Sequence, residues 1–164
     1  MTPRNAARLT ATALEALERA EQRGVLLRGW GALGEGDLPP WALAIDDVPH
    51  EWLFPRMAAV VHHGGAGTTG AGLRAGVPSV LTPLGFDQPF WGRRVVALGV
   101  GPEPVSRRAL TTERLAAAIR RAVTDHAMRE RAARLGERIS AENGVARAVD
   151  ALERHLSEHG SAAA

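Results

Sequence analysis

The pattern of apolar and polar residues predicts strands and helices that alternate along the chain. Short apolar runs bounded by glycine or proline predict strands at residues 25–27, 41–45, 58–61 and 79–81, with a last one within 99–104. Amphipathic stretches with helical spacing predict helices at residues 6–23, 51–57, 68–75, 89–98, 115–123, 127–140 and 145–155. Thr2 or Asn5 is the predicted cap of the first helix, and Gly24 its end.

This alternation predicts an α/β fold with a Rossmann-like, doubly wound parallel sheet. The pattern begins with a helix, whereas doubly wound domains normally begin with a strand near the middle of the sheet. We therefore expect either an atypical domain or one that lacks its first strand.

Composition narrows the class of protein. The 164 residues favour one domain, predicted over 1–158, with a disordered tail at 159–164. The sequence contains no cysteine.

The charge distribution argues against nucleic-acid binding. All 20 basic residues are arginine; they are spread along the chain beside acidic residues, and the net charge is +2. We expect no nucleic-acid partner, because no basic cluster or aromatic platform is visible. Without a signal peptide or an apolar run long enough for a membrane span, a cytoplasmic protein is expected.

The candidate chemistry lies between residues 58 and 88. An apolar run leads through His62 and His63 into a glycine-rich loop, and a helical segment follows from about Thr68. The free N–H groups at a helix N-terminus and its dipole, roughly half a positive charge, make such a loop an anion site. The hydroxyls of Thr68 and Thr69 could cap the helix or donate to phosphate oxygens.

One interpretation of this loop is a dinucleotide site. Gly65, Gly67 and Gly70 match G-x-G-x-x-G between a strand and a helix. A dehydrogenase would also need an acidic residue at the end of the next strand. That strand ends in Leu81, and the nearest acid, Asp87, follows another turn.

A second interpretation uses four motifs in order. They read V-P-H-E-W-L-F-P-R at 48–56, V-V-H-H-G-G-A-G-T-T at 60–69, A-G-V-P at 75–78 and F-D-Q-P-F-W-G-R-R-V at 86–95. Together they resemble the donor-binding half of GT-B fold, family 1 nucleotide-sugar glycosyltransferases, in particular the sterol glucosyltransferase-like and glycopeptide-antibiotic-type enzymes. The resemblance covers nearly the whole chain.

The resemblance implies a role for each matching residue. The diphosphate of a UDP- or TDP-sugar would lie against His63, Gly65, Gly67 and Thr68, with a further hydroxyl from Thr69. His63 would stabilise the leaving diphosphate, without a metal or other cofactor.

The same resemblance assigns the two ends of the donor. The base would lie against the loop from Val48 to His50. Asp87 and Gln88 would bind the sugar hydroxyls, since a carboxylate beside an amide offers both acceptors and donors. Asp47 and Ala71 stand where many family members have a base-stacking tryptophan and a ribose-binding glutamate; the sterol-type subgroup often lacks both.

The resemblance also implies that the chain is about the last two-fifths of such an enzyme. The acceptor-binding half, with the base that deprotonates an acceptor hydroxyl, has no counterpart in the sequence. Three hypotheses follow: the donor half of a hexosyltransferase acting on a lipid, sterol or natural product, a nucleotide-sugar-binding subunit that works with a separate acceptor-binding chain, or an inactive fragment.

Two pairs of residues have plainer interpretations. His62 and His63 would face opposite sides of a strand, so His62 is expected to be a packed or hydrogen-bonded histidine. Asp46 and Asp47 resemble a metal pair, but no third ligand follows at a useful spacing, and no metal is expected.

Overall fold

The computed structural model describes residues 3–28 and 38–159 and has an α/β architecture. The helices are α1 (Pro3–Arg19), α2 (His50–Leu53), α3 (Ala66–Arg74), α4 (Gln88–Ala97), α5 (Thr112–Thr124), α6 (His126–Ala141) and α7 (Gly144–His159). The strands are β1 (Gly24–Leu27), β2 (Ala42–Ile45), β3 (Val60–His62) and β4 (Ser79–Leu81). Single 3₁₀ turns follow at Phe54–Arg56 and Arg107–Ala109.

The four strands form two parallel pairs. β1 pairs with β2, with Gly24 opposite Ala42, and β3 pairs with β4, with Val60 opposite Ser79. Among the described residues, β1 and β3 form no ladder with each other, so the sheet consists of two separate halves. The predicted parallel α/β fold is confirmed.

Helices cover both faces of the sheet. On one face, small residues of α1 pack against α5 around Val80, which lets the helices approach closely. On the other face, a cluster joins β1, β2 and β3 to α2 and α3; it contains Val25, Leu27, Ile45, Phe54 and Val60. This second cluster contacts strands of both half-sheets, so the two halves share one hydrophobic layer.

The segment after α4 completes the outer edge of β4. The N–H of Ser79 donates to the carbonyl of Val100, at 3.1 Å, and the N–H of Val105 donates to the carbonyl of Leu81, at 2.9 Å. The strand predicted within 99–104 is thus an irregular segment with two bonds to β4, and the prediction of a regular strand is wrong. Two prolines in the segment, Pro102 and Pro104, have no N–H to donate to a longer ladder.

The end of α1 differs from the prediction. Gly24 was expected to stop the helix, but α1 ends at Arg19, and Gly24 is the first residue of β1. The N–H of Gln22 donates to Leu17 O and that of Glu21 to Glu18 O, which is the Schellman arrangement. Glu21 takes the left-handed conformation, with φ 57°, that glycine usually occupies there. Asn5 lies within the helix and is not its cap.

Smaller corrections concern the ends of other elements. β3 starts two residues later than expected and includes His62. Trp41, predicted as part of a strand core, lies just before β2 and is half-buried. The predicted helix at 51–57 is a single turn, α2, which continues as the 3₁₀ turn. The breaks at Asp125 and Asn143 are confirmed; the Asp125 side chain caps α6, and Asn143 has φ 44°.

Two predictions fall outside the described residues. Thr2, one of the two predicted caps of the first helix, is one of these, and residues 160–164 of the predicted tail are the other. None of the helices in residues 3–28 and 38–159 is long and apolar enough to cross a bilayer.

The last helix, α7, presents an apolar stripe to water. Val145, Val149, Leu152 and Leu156 recur at helical spacing, and their side chains are 79%, 47%, 62% and 63% exposed. Every other described side chain of this helix except that of Ala146 is exposed as well.

Phe86 generates a stability prediction, because it has φ 56° and a side chain that is 100% exposed. The left-handed conformation costs a residue with a Cβ about 1–2 kcal/mol, and no buried contact offsets this cost. We expect Phe86→Gly to raise the free energy of unfolding by up to about 1 kcal/mol, after the greater chain entropy of glycine is subtracted. Urea denaturation followed by circular dichroism measures this change.

Phe90 provides the matched control, since it is 54% exposed and lies in α4 with ordinary helical geometry. Phe90→Gly should lower stability by about 1 kcal/mol, the usual cost of glycine inside a helix. Equal losses in both variants would contradict a strained backbone at Phe86.

Candidate functional site

The candidate site lies at the carboxyl end of β3, where the chain turns into α3. Gly64 makes this turn possible with φ 95°. A Cβ at Gly64 would lie 2.9 Å from Leu81 Cδ2 and 3.4 Å from the carbonyl oxygen of Gln88. The position therefore requires glycine for its conformation and for the close approach of two neighbouring segments.

His63 lies over the N-terminus of α3. A Cβ added to Gly65, the N-cap residue, would come within 2.5 Å of His63 Nε2. The first intrahelical bond runs from the N–H of Thr69 to the carbonyl of Gly65. The amides of Ala66, Gly67 and Thr68 therefore precede the first helical bond, and an exposed imidazole lies beside them. This arrangement supplies an anion with N–H donors, the helix dipole and an imidazole.

The two threonines have different surroundings. Thr68 is half-buried in the first turn of α3, whereas Thr69 is fully buried, and its hydroxyl has no hydrogen-bond partner among the described residues. The N-cap is Gly65, without a side-chain cap, so of the two roles considered for the threonines the capping of α3 is wrong. The burial of Thr69 removes its hydroxyl from the surface of the loop.

Gln88 shapes the turn between β4 and α4. Its Oε1 accepts a hydrogen bond of 2.7 Å from the N–H of Leu84 and a longer one of 3.4 Å from that of Gly85. Because Gln88 also borders Gly64, the turn that carries the predicted sugar-binding residues lies beside the turn that carries His63. The structure thus brings these two motifs, about 20 residues apart in sequence, to one edge of the sheet.

Asp87 is held by a neighbouring indole. Its Oδ2 accepts a hydrogen bond of 3.0 Å from Trp91 Nε1, one helical turn later. The carboxylate is exposed, and this bond fixes its orientation while it remains accessible to a ligand. The role of Trp91 was missed from the sequence, although the spacing of four residues places the two side chains on one helix face.

The Val48–His50 segment leads into α2. Val48 packs on the cluster that joins β1, β2 and β3. The imidazole of His50 stacks on the ring of Phe54, with centroids 4.5 Å apart. Packing and stacking therefore hold the two ends of the predicted base-binding loop.

Other charged and aromatic residues near this loop have structural partners. Asp46, of the acidic pair considered for a metal, lies 3.3 Å from the guanidinium of Arg28. The ring of Trp52 is covered by the guanidinium of Arg56, 4.4 Å from its centroid. Within the described ranges, no group of three metal-ligating side chains comes together.

His62 is half-buried beneath the loop and hydrogen-bonded to it, as expected for this histidine. Its Nδ1 accepts a hydrogen bond of 3.1 Å from the N–H of Gly64, so the ring proton of the neutral form is on Nε2. The Nε2 has no partner among the described residues. Burial, together with the smaller effects of the neighbouring His63 and His50, lowers the pKa of His62 to about 4. A neutral imidazole therefore supports the turn at Gly64.

Comparison with known protein families assigns most of the chain to one family. The profile of the family described as "Erythromycin biosynthesis protein CIII-like, C-terminal domain" matches residues 32–154. The chain belongs to this family of GT-B glycosyltransferase domains. The resemblance inferred from the four motifs is confirmed.

Curated relatives of this EryCIII-like domain have two kinds of named activity. The chain is 46% identical over 150 residues to a sterol 3-beta-glucosyltransferase of Arabidopsis thaliana, a match that covers 91% of the chain and 23% of the relative. It is 48% identical over 138 residues to the O-mycaminosyltylonolide 6-deoxyallosyltransferase of Streptomyces fradiae. This match covers 84% of the chain and 32% of the relative. The chain thus spans between about a quarter and a third of the length of these relatives.

Solved glycosyltransferases share the fold of the EryCIII-like domain. The glycosyltransferase of kitacinnamycin superposes with a TM-score of 0.78 at 33% identity, over 88% of this chain and 38% of that one. The glycosyltransferase VinC, solved in complex with dTDP, superposes with a TM-score of 0.63 at 31% identity. This superposition covers 73% of this chain and 31% of VinC. These matches give no support to the dehydrogenase interpretation of G-x-G-x-x-G.

The half-buried imidazole of His62 predicts acid sensitivity. Its pKa of about 4 in the folded chain lies below the ordinary value of 6.5, so the unfolded chain binds the proton more tightly. This difference stabilises the fold above pH 6.5 and is lost as the pH falls toward 4, by about 3 kcal/mol in total. Urea denaturation across this pH range should show the loss.

His62→Asn isolates the contribution of this imidazole. The amide oxygen can accept the bond from Gly64 N–H in place of Nδ1, but the side chain does not titrate. We expect the variant to lose distinctly less stability between pH 6.5 and pH 4 than the parent. Parallel pH profiles for the two proteins would rule out His62 as the source of the acid sensitivity.

Gln88 allows a test of how the turn is held. Gln88→Leu removes the acceptor of the Leu84 and Gly85 amides and should cost about 1–2 kcal/mol of stability. Gln88→Glu retains an acceptor oxygen and should cost distinctly less. Thermal unfolding of both variants checks this order, and a Gln88→Glu variant as unstable as Gln88→Leu would contradict it.

Proposed function

We propose that this chain is the donor-binding half of a glycosyltransferase that transfers a hexose from a UDP- or TDP-sugar to an acceptor hydroxyl. The observation that carries the proposal is the position of His63 over the N-terminus of α3, beside the turn that contains Asp87 and Gln88. A nucleotide sugar needs two adjoining subsites, one for an anion and one for hydroxyl groups, and these motifs supply both kinds of group.

The diphosphate would occupy the loop at the start of α3. The N–H groups of Ala66, Gly67 and Thr68 face this end of the helix, and His63 adds a donor from the side. Breaking the anomeric C–O bond leaves the bonding electrons and a negative charge on the diphosphate. Donors already in place stabilise that charge without reorganisation. The complex of VinC with dTDP supports a nucleoside diphosphate as the ligand class.

The sugar would lie against Asp87 and Gln88. The carboxylate of Asp87 accepts from sugar hydroxyls while Trp91 holds its orientation. The Oε1 of Gln88 is engaged by the turn, so its Nε2 is the group that would donate to a hydroxyl. This division gives Asp87 the role of acceptor and Gln88 that of donor.

The base would lie against the loop at Val48–His50, mostly through backbone groups. Both ends of this loop are fixed, by the packing of Val48 and by the stacking of His50 on Phe54. We assign no direct ligand contact to the buried hydroxyl of Thr69.

Turnover needs a second half that supplies the acceptor and its base. The named relatives are a sterol 3-beta-glucosyltransferase and an O-mycaminosyltylonolide 6-deoxyallosyltransferase, which supports a lipid, sterol or natural-product acceptor held by that half. A cytoplasmic location, expected from the sequence alone, remains part of this proposal.

Calorimetric titration tests the donor site directly. UDP or dTDP should bind the purified, folded chain, and His63→Ala should weaken binding by about 1–3 kcal/mol through loss of a charge-assisted contact. His126→Ala is the matched control, because His126 is exposed at the start of α6 and lies outside the site; it should leave binding unchanged.

Two results would contradict the proposal. A folded chain that binds neither nucleotide has no working donor site in this form. Binding of NAD in preference to UDP and dTDP would favour the dinucleotide interpretation instead.

A further inference from the structure

A cleft lined by arginines lies at the carboxyl end of β4, outside the proposed donor site. It is bounded by the turn after β4, the start of α4 and the segment at residues 104–108. Arg93, Arg107 and Arg108 line this arginine cleft, and none of its lining residues is acidic. Positive charge is therefore concentrated here, although the net charge of the chain is only +2.

Backbone hydrogen bonds fix one wall of the arginine cleft. The N–H of Val105 donates to the carbonyl of Leu81, and the N–H of Arg107 donates to the carbonyl of Pro83, both at 2.9 Å. These two bonds join the segment that carries Arg107 and Arg108 to the end of β4. The backbone of both arginines is thus held in place by the central sheet.

Close packing fixes the opposite wall. A Cβ added to Gly92 would lie 2.7 Å from Pro104 Cγ, so the backbone of α4 lies directly against the segment at 104–108. Arg93 is the next residue of α4 and extends from this contact. Because both walls are fixed in the free chain, a ligand would need to order only the guanidinium groups.

The charges around the arginine cleft favour an anion. Burial and, to a smaller extent, the nearby guanidinium of Arg8 lower the pKa of Arg107, yet arginine stays protonated at neutral pH. Two positive charges therefore lie close together. Within residues 3–28 and 38–159, neither Arg93 nor Arg108 has an ion-pair partner; the ion pairs there use Arg19, Arg28, Arg121 and Arg134. A bound anion would reduce this repulsion.

The size and lining of the cleft indicate the class of anion. Planar guanidinium groups match the paired oxygens of a phosphate group, and the exposed hydroxyl of Ser106 is a further donor. The volume of about 500 Å³ lies within the range of about 300–1,000 Å³ for small-molecule sites, so there is room for an organic substituent as well. Leu84, which lines the cleft and is 66% exposed, offers that substituent an apolar contact.

We propose that the arginine cleft binds a phosphate ester, at a site separate from the donor diphosphate. The phosphate oxygens accept hydrogen bonds from Arg93, Arg107 and Arg108, and the organic part lies against Leu84. A soluble phosphate ester and the headgroup of a phospholipid present the same group to these arginines.

The position of β4 separates this cleft from the proposed diphosphate loop. β4 has β3 on one side and the irregular segment at 99–105 on the other. The diphosphate loop follows β3, whereas the arginine cleft is bounded by the continuation of the irregular segment. The turn at 84–88 connects the two sites, because Leu84 lines the cleft while its N–H donates to Gln88.

NMR titration with glycerol 3-phosphate tests the site. The His63→Ala variant is used throughout, so that the proposed donor loop lacks its imidazole. Amides of Leu84, Ser106 and Arg108 should shift on binding. Arg93→Gln and Arg108→Gln should each weaken binding by ~10-fold, through loss of a charge-assisted hydrogen bond. Arg129→Gln is the matched control, because Arg129 is exposed on α6; it should leave binding unchanged.

Vesicle sedimentation distinguishes the two sources of the phosphate group. Vesicles of equimolar phosphatidylcholine and phosphatidic acid are compared with vesicles of phosphatidylcholine alone. Binding only to the first kind, weakened by Arg108→Gln and not by Arg129→Gln, would support the proposal with a phospholipid as the ligand. Binding of glycerol 3-phosphate without binding to vesicles would support it with a soluble ester.

Three results would overturn the proposal. One is that neither glycerol 3-phosphate nor phosphatidic acid binds. Another is that shifts are confined to residues 63–69, which would place the phosphate in the donor loop. The third is that Arg129→Gln weakens binding as much as Arg108→Gln, which would indicate a general attraction to a cationic surface.

UDP titration keeps this inference distinct from the proposed function. In the parent chain, Arg93→Gln and Arg108→Gln should leave UDP binding unchanged, and a loss of UDP binding in both would merge the cleft with the donor site and overturn a separate site. A chain that binds glycerol 3-phosphate in the cleft but neither UDP nor dTDP would contradict the proposed function alone.

Discussion

The approach of Gly64 to the turn after β4 is the constraint on which the candidate site depends. A left-handed residue without a Cβ lets the end of β3 lie against Leu81 and the backbone of Gln88. This contact joins the anion-binding loop to the turn with the carboxylate and amide. The neutral ring of His62, which accepts from the Gly64 N–H, supports the same point from beneath. A side chain at Gly64 would move the loop of the proposed diphosphate site away from the turn of the proposed sugar site.

The site residues are positioned by bonds among themselves and with their neighbours. Trp91 orients the carboxylate of Asp87, and the amide oxygen of Gln88 holds the backbone of its own turn. Each of these side chains therefore has one polar group in a structural bond and another available to a ligand. Such prior fixation reduces the ordering that binding would otherwise require.

The sequence predicted the order of the elements because hydrophobic spacing and glycine or proline boundaries are local properties. Ser79–Leu81 was predicted with its observed bounds. The end of α1 was misplaced because Glu21 takes the backbone conformation that glycine was expected to supply. The burial of Thr69 and the bond between Asp87 and Trp91 depend on side-chain packing. The division of the sheet into two pairs follows from the positions of strands distant in sequence.

The exposed apolar stripe of α7 means that the stability of this last helix depends on the surface that its apolar side chains contact. An isolated helix of 16 residues is marginal in water, since helices in proteins are stabilised largely by the surface on which their apolar face packs. The four aliphatic side chains of this stripe are 47–79% exposed, so residues 3–28 and 38–159 supply little of that support. Helix content at this end should consequently respond to whatever surface the stripe contacts, which makes it a spectroscopic indicator of assembly.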